Sequence, residues 1–111
     1  MTDEIFHIKR NDTGPKFKVA LNDGKGGGVN ITGATSVRFH MGAKGAAAAV
    51  DAAATVVQDN PAIVEYAWAA ANTANAGDFY AEIEVTLADG SIETFPNDRE
   101  GWLVRITEDK A

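Results

Sequence analysis

A chain of 111 residues with sixteen acidic and ten basic side chains, formal charge −6, is long enough for one domain, and its charge works against binding to nucleic-acid phosphates or anionic membranes. It contains no cysteine, which excludes disulfides, thiolate metal sites and cysteine nucleophiles. No apolar run approaches the roughly 20 residues of a membrane helix, and the opening MTDEIFHIKR lacks the apolar stretch of a secretory signal peptide.

In chain order, Ile5 to Lys9 reads as a first strand, closed by the turn formers Asn11-Asp12-Thr13-Gly14-Pro15. Phe17, Val19 and Leu21 alternate with Lys16, Lys18 and Ala20, giving a second strand with one face in a core and one in water. Asn22 to Gly28 is a glycine-rich hairpin tip. Its spacing is not that of a Walker A loop and no helix follows it, so it is not read as a phosphate cradle. A short piece, Val29 to Thr32, precedes Gly33 and then a strand in which Val37, Phe39 and Met41 alternate with Arg38 and His40.

The alanine-rich stretch that follows favours helix by propensity, but Val50, Ala52, Ala54 and Val56 alternate and the β-branched content is high, so Ala49 to Gln58 is expected to be one strand. Asn60-Pro61 closes it, and Ile63 to Trp68 follows with Val64, Tyr66 and Trp68 on one face. Asn72 to Gly77 reads as a corner, with room for one helical turn.

The stretch Ala76 to Phe95, AGDFYAEIEVTLADGSIETF, reads as a β-hairpin in which Phe79, Ala81, Ile83, Val85 and Leu87 point inward and Tyr80, Glu82, Glu84 and Thr86 outward. Asp89-Gly90 suits a two-residue loop. That loop sets Leu87 opposite Ile92 and Val85 opposite Thr94, puts Ile92 in the core and leaves Phe95 on the outer face near Glu84. After the PNDREG turn at Pro96 to Gly101, Trp102, Val104 and Ile106 alternate with Leu103, Arg105 and Thr107 in the last strand.

Strands at intervals of about 8–12 residues with turns between them predict an all-β fold, an antiparallel β-sandwich of about seven to nine strands in one domain spanning 1–111. The expected core includes Phe17, Phe39, Tyr66, Trp68, Ile83, Val85, Ile92 and Trp102.

No group of residues reads as a catalytic, metal or cofactor site. His7 and His40 have no carboxylate or histidine partner at metal-ligand spacing, and His40 is expected to be a solvated strand residue. Glu82, Glu84 and Glu93 crowd one face of the hairpin, but a sheet surface gives them no cleft. Ser36 and Ser91 lie outside any nucleophile-elbow context. Tyr66, Trp68 and Trp102 would suit a sugar platform, yet all three occupy inward positions. The chain is therefore expected not to be an enzyme. Ile5, Phe6, Tyr80 and Phe95 are the candidates for contact with another protein, as apolar or aromatic groups at outward or terminal positions of an acidic sheet.

Three segments, IKRNDTGP at 8–15, ITGATSVRFHM at 31–41 and AGDFYAEIEVTLADGSIETFPND at 76–98, together resemble the N-terminal domain family of phage baseplate upper proteins. The resemblance covers nearly the whole chain. It implies an immunoglobulin-like sandwich without a disulfide, with Phe79 and Ala81 where an antibody domain carries its corner tyrosine and second cysteine. It also implies a virion structural role: a small adaptor or accessory subunit of the tail or baseplate, contacting other virion proteins in a symmetric multi-copy assembly, with no nucleic acid, membrane, cofactor or small-molecule substrate as partner. A decoration or auxiliary protein on the capsid or neck is the alternative, and a carbohydrate-binding module for host glycans a third reading. Longer members continue into a stalk or receptor-binding module, whereas this chain ends at Ala111, so docking alone is expected of it.

Overall fold

A computed structural model describes residues 5–23, 25, 27–97 and 100–108. Gly24 and Gly26 of the glycine-rich tip, and Asp98 and Arg99 of the PNDREG turn, lie outside the described residues. Nine strands follow in order: β1 (Ile5–Lys9), β2 (Phe17–Ala20), β3 (Ser36–Gly42), β4 (Val50–Ala53), β5 (Thr55–Asp59), β6 (Ala62–Tyr66), β7 (Gly77–Thr86), β8 (Ile92–Phe95) and β9 (Trp102–Thr107). One 3-10 turn at Ala70–Thr73 sits between β6 and β7. The strands form a six-stranded sheet, β1-β9-β7-β3-β4 with β8 also on β7, and a three-stranded sheet, β2-β6-β5. Pairing is antiparallel except that β1 runs parallel to β9, so the expectation of a wholly antiparallel fold is corrected at that one edge.

The two layers meet around stacked aromatics. Phe39 lies flat on Tyr66 at 4.1 Å between centroids, and Phe17 meets Phe39 and Trp102 edge-on at 5.4 and 5.8 Å. Such pairs add to the hydrophobic gain of burying the rings. Trp68 is buried among Phe6, Phe17, Phe39 and Tyr66.

Two expectations are overturned. First, Ala49 to Gln58 is not one strand. Its first half pairs with β3 and its second half with β6, and the chain changes sheet after Ala54, whose N–H still bonds to Val37 of β3. The short piece Val29 to Thr32 lies outside the strands, with Val29 N–H donating to Leu21 O, Val29 O accepting from Ala62 N–H, and Ile31 buried.

Second, the hairpin has a three-residue loop, Ala88-Asp89-Gly90. Leu87 N–H donates to Ser91 O at 2.8 Å and Gly90 N–H to Leu87 O at 2.9 Å. Gly90 takes φ +89°, a conformation side chains disfavour, and the Asp89 carboxylate accepts from both Ser91 N–H and its hydroxyl. The extra residue shifts the register by one and turns every β8 side chain to the other face. Thr86 now faces Ile92, Val85 faces Glu93 and Ile83 faces Phe95. Phe95, expected on the wet side, is 1% exposed in the core, while Ile92, expected in the core, is 62% exposed. Glu93 consequently leaves the face of Glu82 and Glu84.

β8 and β9 lie end to end along the same side of β7. Phe95 is opposite Ile83 and Trp102 opposite Ala81, so the pairing along this side of β7 is interrupted at Glu82. The return is tight: a Cβ at Gly101 would lie 2.8 Å from the Ala81 carbonyl oxygen. The Glu100 carboxylate accepts a hydrogen bond from Gly45 N–H, in the β3–β4 connection, at 2.8 Å.

Candidate protein-contact surface

The outer face of the six-stranded sheet is organised in cross-strand rows set by the register. One row is apolar: Ile5 of β1, Leu103 of β9 and Tyr80 of β7 stand side by side, all partly exposed. On one side of it runs the row His7, Arg105 and Asp78, in which Arg105 grips Asp78 with Nε at 2.8 Å and a second nitrogen at 3.1 Å. On the other side runs Glu82, His40 and Asp51.

The second charged row corrects the reading of His40 as a solvated strand residue. Its Nε2 is 3.2 Å from Asp51 Oδ1 and its Nδ1 is 3.8 Å from Glu82 Oε1, with the side chain mostly covered. Arg38 donates to Asp51 Oδ1 through Nε at 3.0 Å, and to the Asp51 carbonyl. That bond, joined by the nearby charges of Arg38 and His40, holds the Asp51 carboxyl below the usual carboxylate range. Asp78 is lowered likewise by its bond to Arg105. Cross-strand neighbours such as these are distant in sequence, which is why spacing alone does not reveal them.

Beside the apolar row lies a depression of about 160 Å³, bordered by His40, Tyr80, Glu82, Glu100 and the backbone of the β3–β4 connection. Among the described residues no group of three or more His, Asp or Glu side chains is placed to hold a metal ion.

Of the four residues singled out from the sequence, Ile5 and Tyr80 come together in the apolar row, joined by Leu103, which the inward-outward reading had left as a plain outward residue. Phe6 does not belong to this surface. It pairs with Val104, points inward and packs on Phe17 and Trp68 at 5.3 and 5.8 Å. Phe95 is in the core, as described above. Trp68 is buried and Trp102 packs edge-on against Phe17, so neither offers the exposed flat face a sugar needs.

The corner before β7 is held by side chains that the sequence reading passed over. Tyr66 donates its hydroxyl to Asn72 Oδ1 at 2.6 Å, the same oxygen accepts from Ala69 N–H at 2.8 Å, and the buried Thr73 donates its hydroxyl to Asp12 O at 2.9 Å. Arg10 reaches the carbonyl of Ala74 at 2.7 Å. The turn after β1 is thereby fastened to the corner before β7, which fixes the outer-face strands at that end.

No family model matches this chain, and neither a curated protein nor a solved structure does.

Proposed function

We propose that this chain is an immunoglobulin-like structural subunit of a tailed-bacteriophage particle, docked in the tail or baseplate region through the outer face of its six-stranded sheet. Its work is binding, not catalysis. The observation that carries the docking reading is the apolar row Ile5, Leu103, Tyr80 flanked by charged rows, because an apolar, aromatic centre with a polar rim is the anatomy of a protein interface. The charged groups beside it are engaged with one another, as Arg105 is with Asp78 and Arg38 with Asp51.

The strand order supports the immunoglobulin-like reading. β2-β6-β5 corresponds to strands B, E and D of that fold, and β9-β7-β3-β4 to G, F, C and C′, with β8 and β9 together forming the last strand. The first strand departs from the constant-type pattern by joining β9 instead of β2. The virion placement is supported by the three sequence segments that resemble baseplate upper proteins.

Mass spectrometry of purified particles, with cross-linking, tests the proposal. The protein is expected in the particle, linked through the outer face to tail or baseplate proteins; links to capsid or neck proteins would instead place it as a decoration subunit. A Leu103→Asp variant is expected to fold and to be excluded from particles. Undiminished incorporation of that variant, or particles without the protein, overturns the proposal.

A further inference from the structure

The loop that sets the β8 register joins an aspartate to a glycine, the pairing in which an aspartyl backbone isomerises most readily, because glycine has no side chain to shield its amide nitrogen. Asp89, Gly90 and Ser91 are all exposed. The reaction needs a protonated Asp89 carboxyl, a free Gly90 N–H, and a side chain able to swing its Cγ onto that nitrogen. In the folded turn each is withheld. Asp89 Oδ1 accepts from the Ser91 hydroxyl at 2.6 Å and from Ser91 N–H at 2.9 Å, while Gly90 N–H donates to Leu87 O at 2.9 Å. The two Ser91 bonds also hold the carboxyl below its usual range, so that it stays ionised.

From this arrangement we infer that Asp89-Gly90 is a latent site of isoaspartate formation, with Ser91 as the residue that keeps it closed. The reaction waits on local opening of the turn. Once the carboxyl takes a proton, the Gly90 nitrogen bonds to Asp89 Cγ, and the amide hydrogen and the carboxyl hydroxyl leave together as water, giving a five-membered succinimide. Water then adds at the Asp89 main-chain carbonyl and breaks its bond to the Gly90 nitrogen. The chain now runs through Cβ and Cγ, and the former main-chain carbonyl is a free carboxylate. Water is the only co-reactant.

The product strikes the fold at a sensitive point. The backbone gains an atom inside the loop whose length decides which β8 side chains face the core, and the carboxylate that Ser91 held is gone from its place. Phe95, sealed opposite Ile83, depends on that register. The modified chain is therefore expected to unfold at lower denaturant than the unmodified one. This inference goes beyond the virion reading and is independent of it, because the purified chain alone tests it.

The full chain and its Ser91→Ala variant, aged at mildly acidic pH both folded and in urea, are digested after glutamate, and fragmentation mass spectrometry reads isoaspartate in peptide 85–93. That peptide separates Asp89 from the chain's other Asp-Gly pair, Asp23-Gly24. The folded chain is expected to convert more slowly than the unfolded one. Ser91→Ala, at an exposed site, is expected to speed conversion of the folded chain about tenfold, the effect of losing one hydrogen bond to a charged group, and to leave the unfolded rate unchanged. Matching denaturation midpoints show that the gain arises in the turn. A folded chain that converts as fast as the unfolded one overturns the inference. So does a Ser91→Ala variant no faster than the unaltered chain, or an unfolded chain that forms no isoaspartate at residue 89.

Discussion

Phe95 stands directly across from Ile83 on the paired strands β8 and β7, and both side chains are sealed in the core. Removing the ring leaves a cavity that packed neighbours fill only in part. Phe95→Ala is therefore expected to cost about 3–5 kcal/mol, while Ile92→Ser, three residues earlier and mostly exposed, is expected to stay within about 0.5 kcal/mol. Urea unfolding of the two variants checks both. The reverse order would restore the two-residue loop and its register.

Tyr66→Phe keeps the ring stacked on Phe39 and removes only the hydroxyl that donates to Asn72. The loss expected is about 1 kcal/mol, measured by chemical denaturation. Burial also raises the ionisation of this tyrosine above its usual range. The phenolate form is thus disfavoured in the folded state, and the corresponding stability is present at neutral pH and lost as pH rises through the raised value. The Phe variant is expected to lack that alkaline decline.

Asp51, Asp78 and Asp89 are all held below the ordinary carboxylate range, by bonds to Arg38, Arg105 and Ser91 respectively. A lowered carboxylate means that the folded chain binds fewer protons than the unfolded one. The stability it contributes is complete above the ordinary range and disappears as pH falls through that range toward the lowered values. Denaturation midpoints are expected to be level near neutrality and to drop in acid, with Asp78→Asn making the drop shallower. All three carboxylates are at the surface, so the effect should be modest and weaker in salt.

Gly101→Ala places a methyl group against the Ala81 carbonyl and close to the Tyr80 Cβ. Backbone has to yield there, at a cost of about 1–3 kcal/mol. Because the same glycine follows Glu100 directly, loss of the Glu100 to Gly45 hydrogen bond is expected as well, visible as faster exchange of the Gly45 amide.

The strands themselves were legible because the alternation of large apolar and polar residues is a direct record of which side faces the other layer. It is nearly unbroken in β7 and clear in β2, β3, β6 and β9. Register was not legible. Asp89-Gly90 serves a loop of two residues or of three, and what decides is whether Ala88 joins the strand or the turn, about which alanine says nothing. The alternation of Val50, Ala52, Ala54 and Val56 also survives the passage from one sheet to the other, because the inward side of both layers is the same core, so the crossing leaves no mark on the sequence. Of the contact surface, Ile5 and Tyr80 were visible as residues but their adjacency was not. It depends on β1 running alongside β9, a pairing between the two ends of the described chain that no local pattern encodes.

The passage of the backbone from β4 into β5 at Ala54 has a mechanical meaning. On that flank the two layers share one uninterrupted covalent thread, as the leaves of a book share a spine, and a protein without cysteine gains a permanent fastener there. On the opposite flank β1 and β2 belong to different layers and leave a gap of about 110 Å³ lined by Phe6, Phe17, Val19 and Trp102. Parting of the leaves should begin at that fore-edge, so exchange of β2 amides is expected to outpace exchange of those in β6, and a cross-link between β1 and β2 to slow unfolding more than one placed beside the spine.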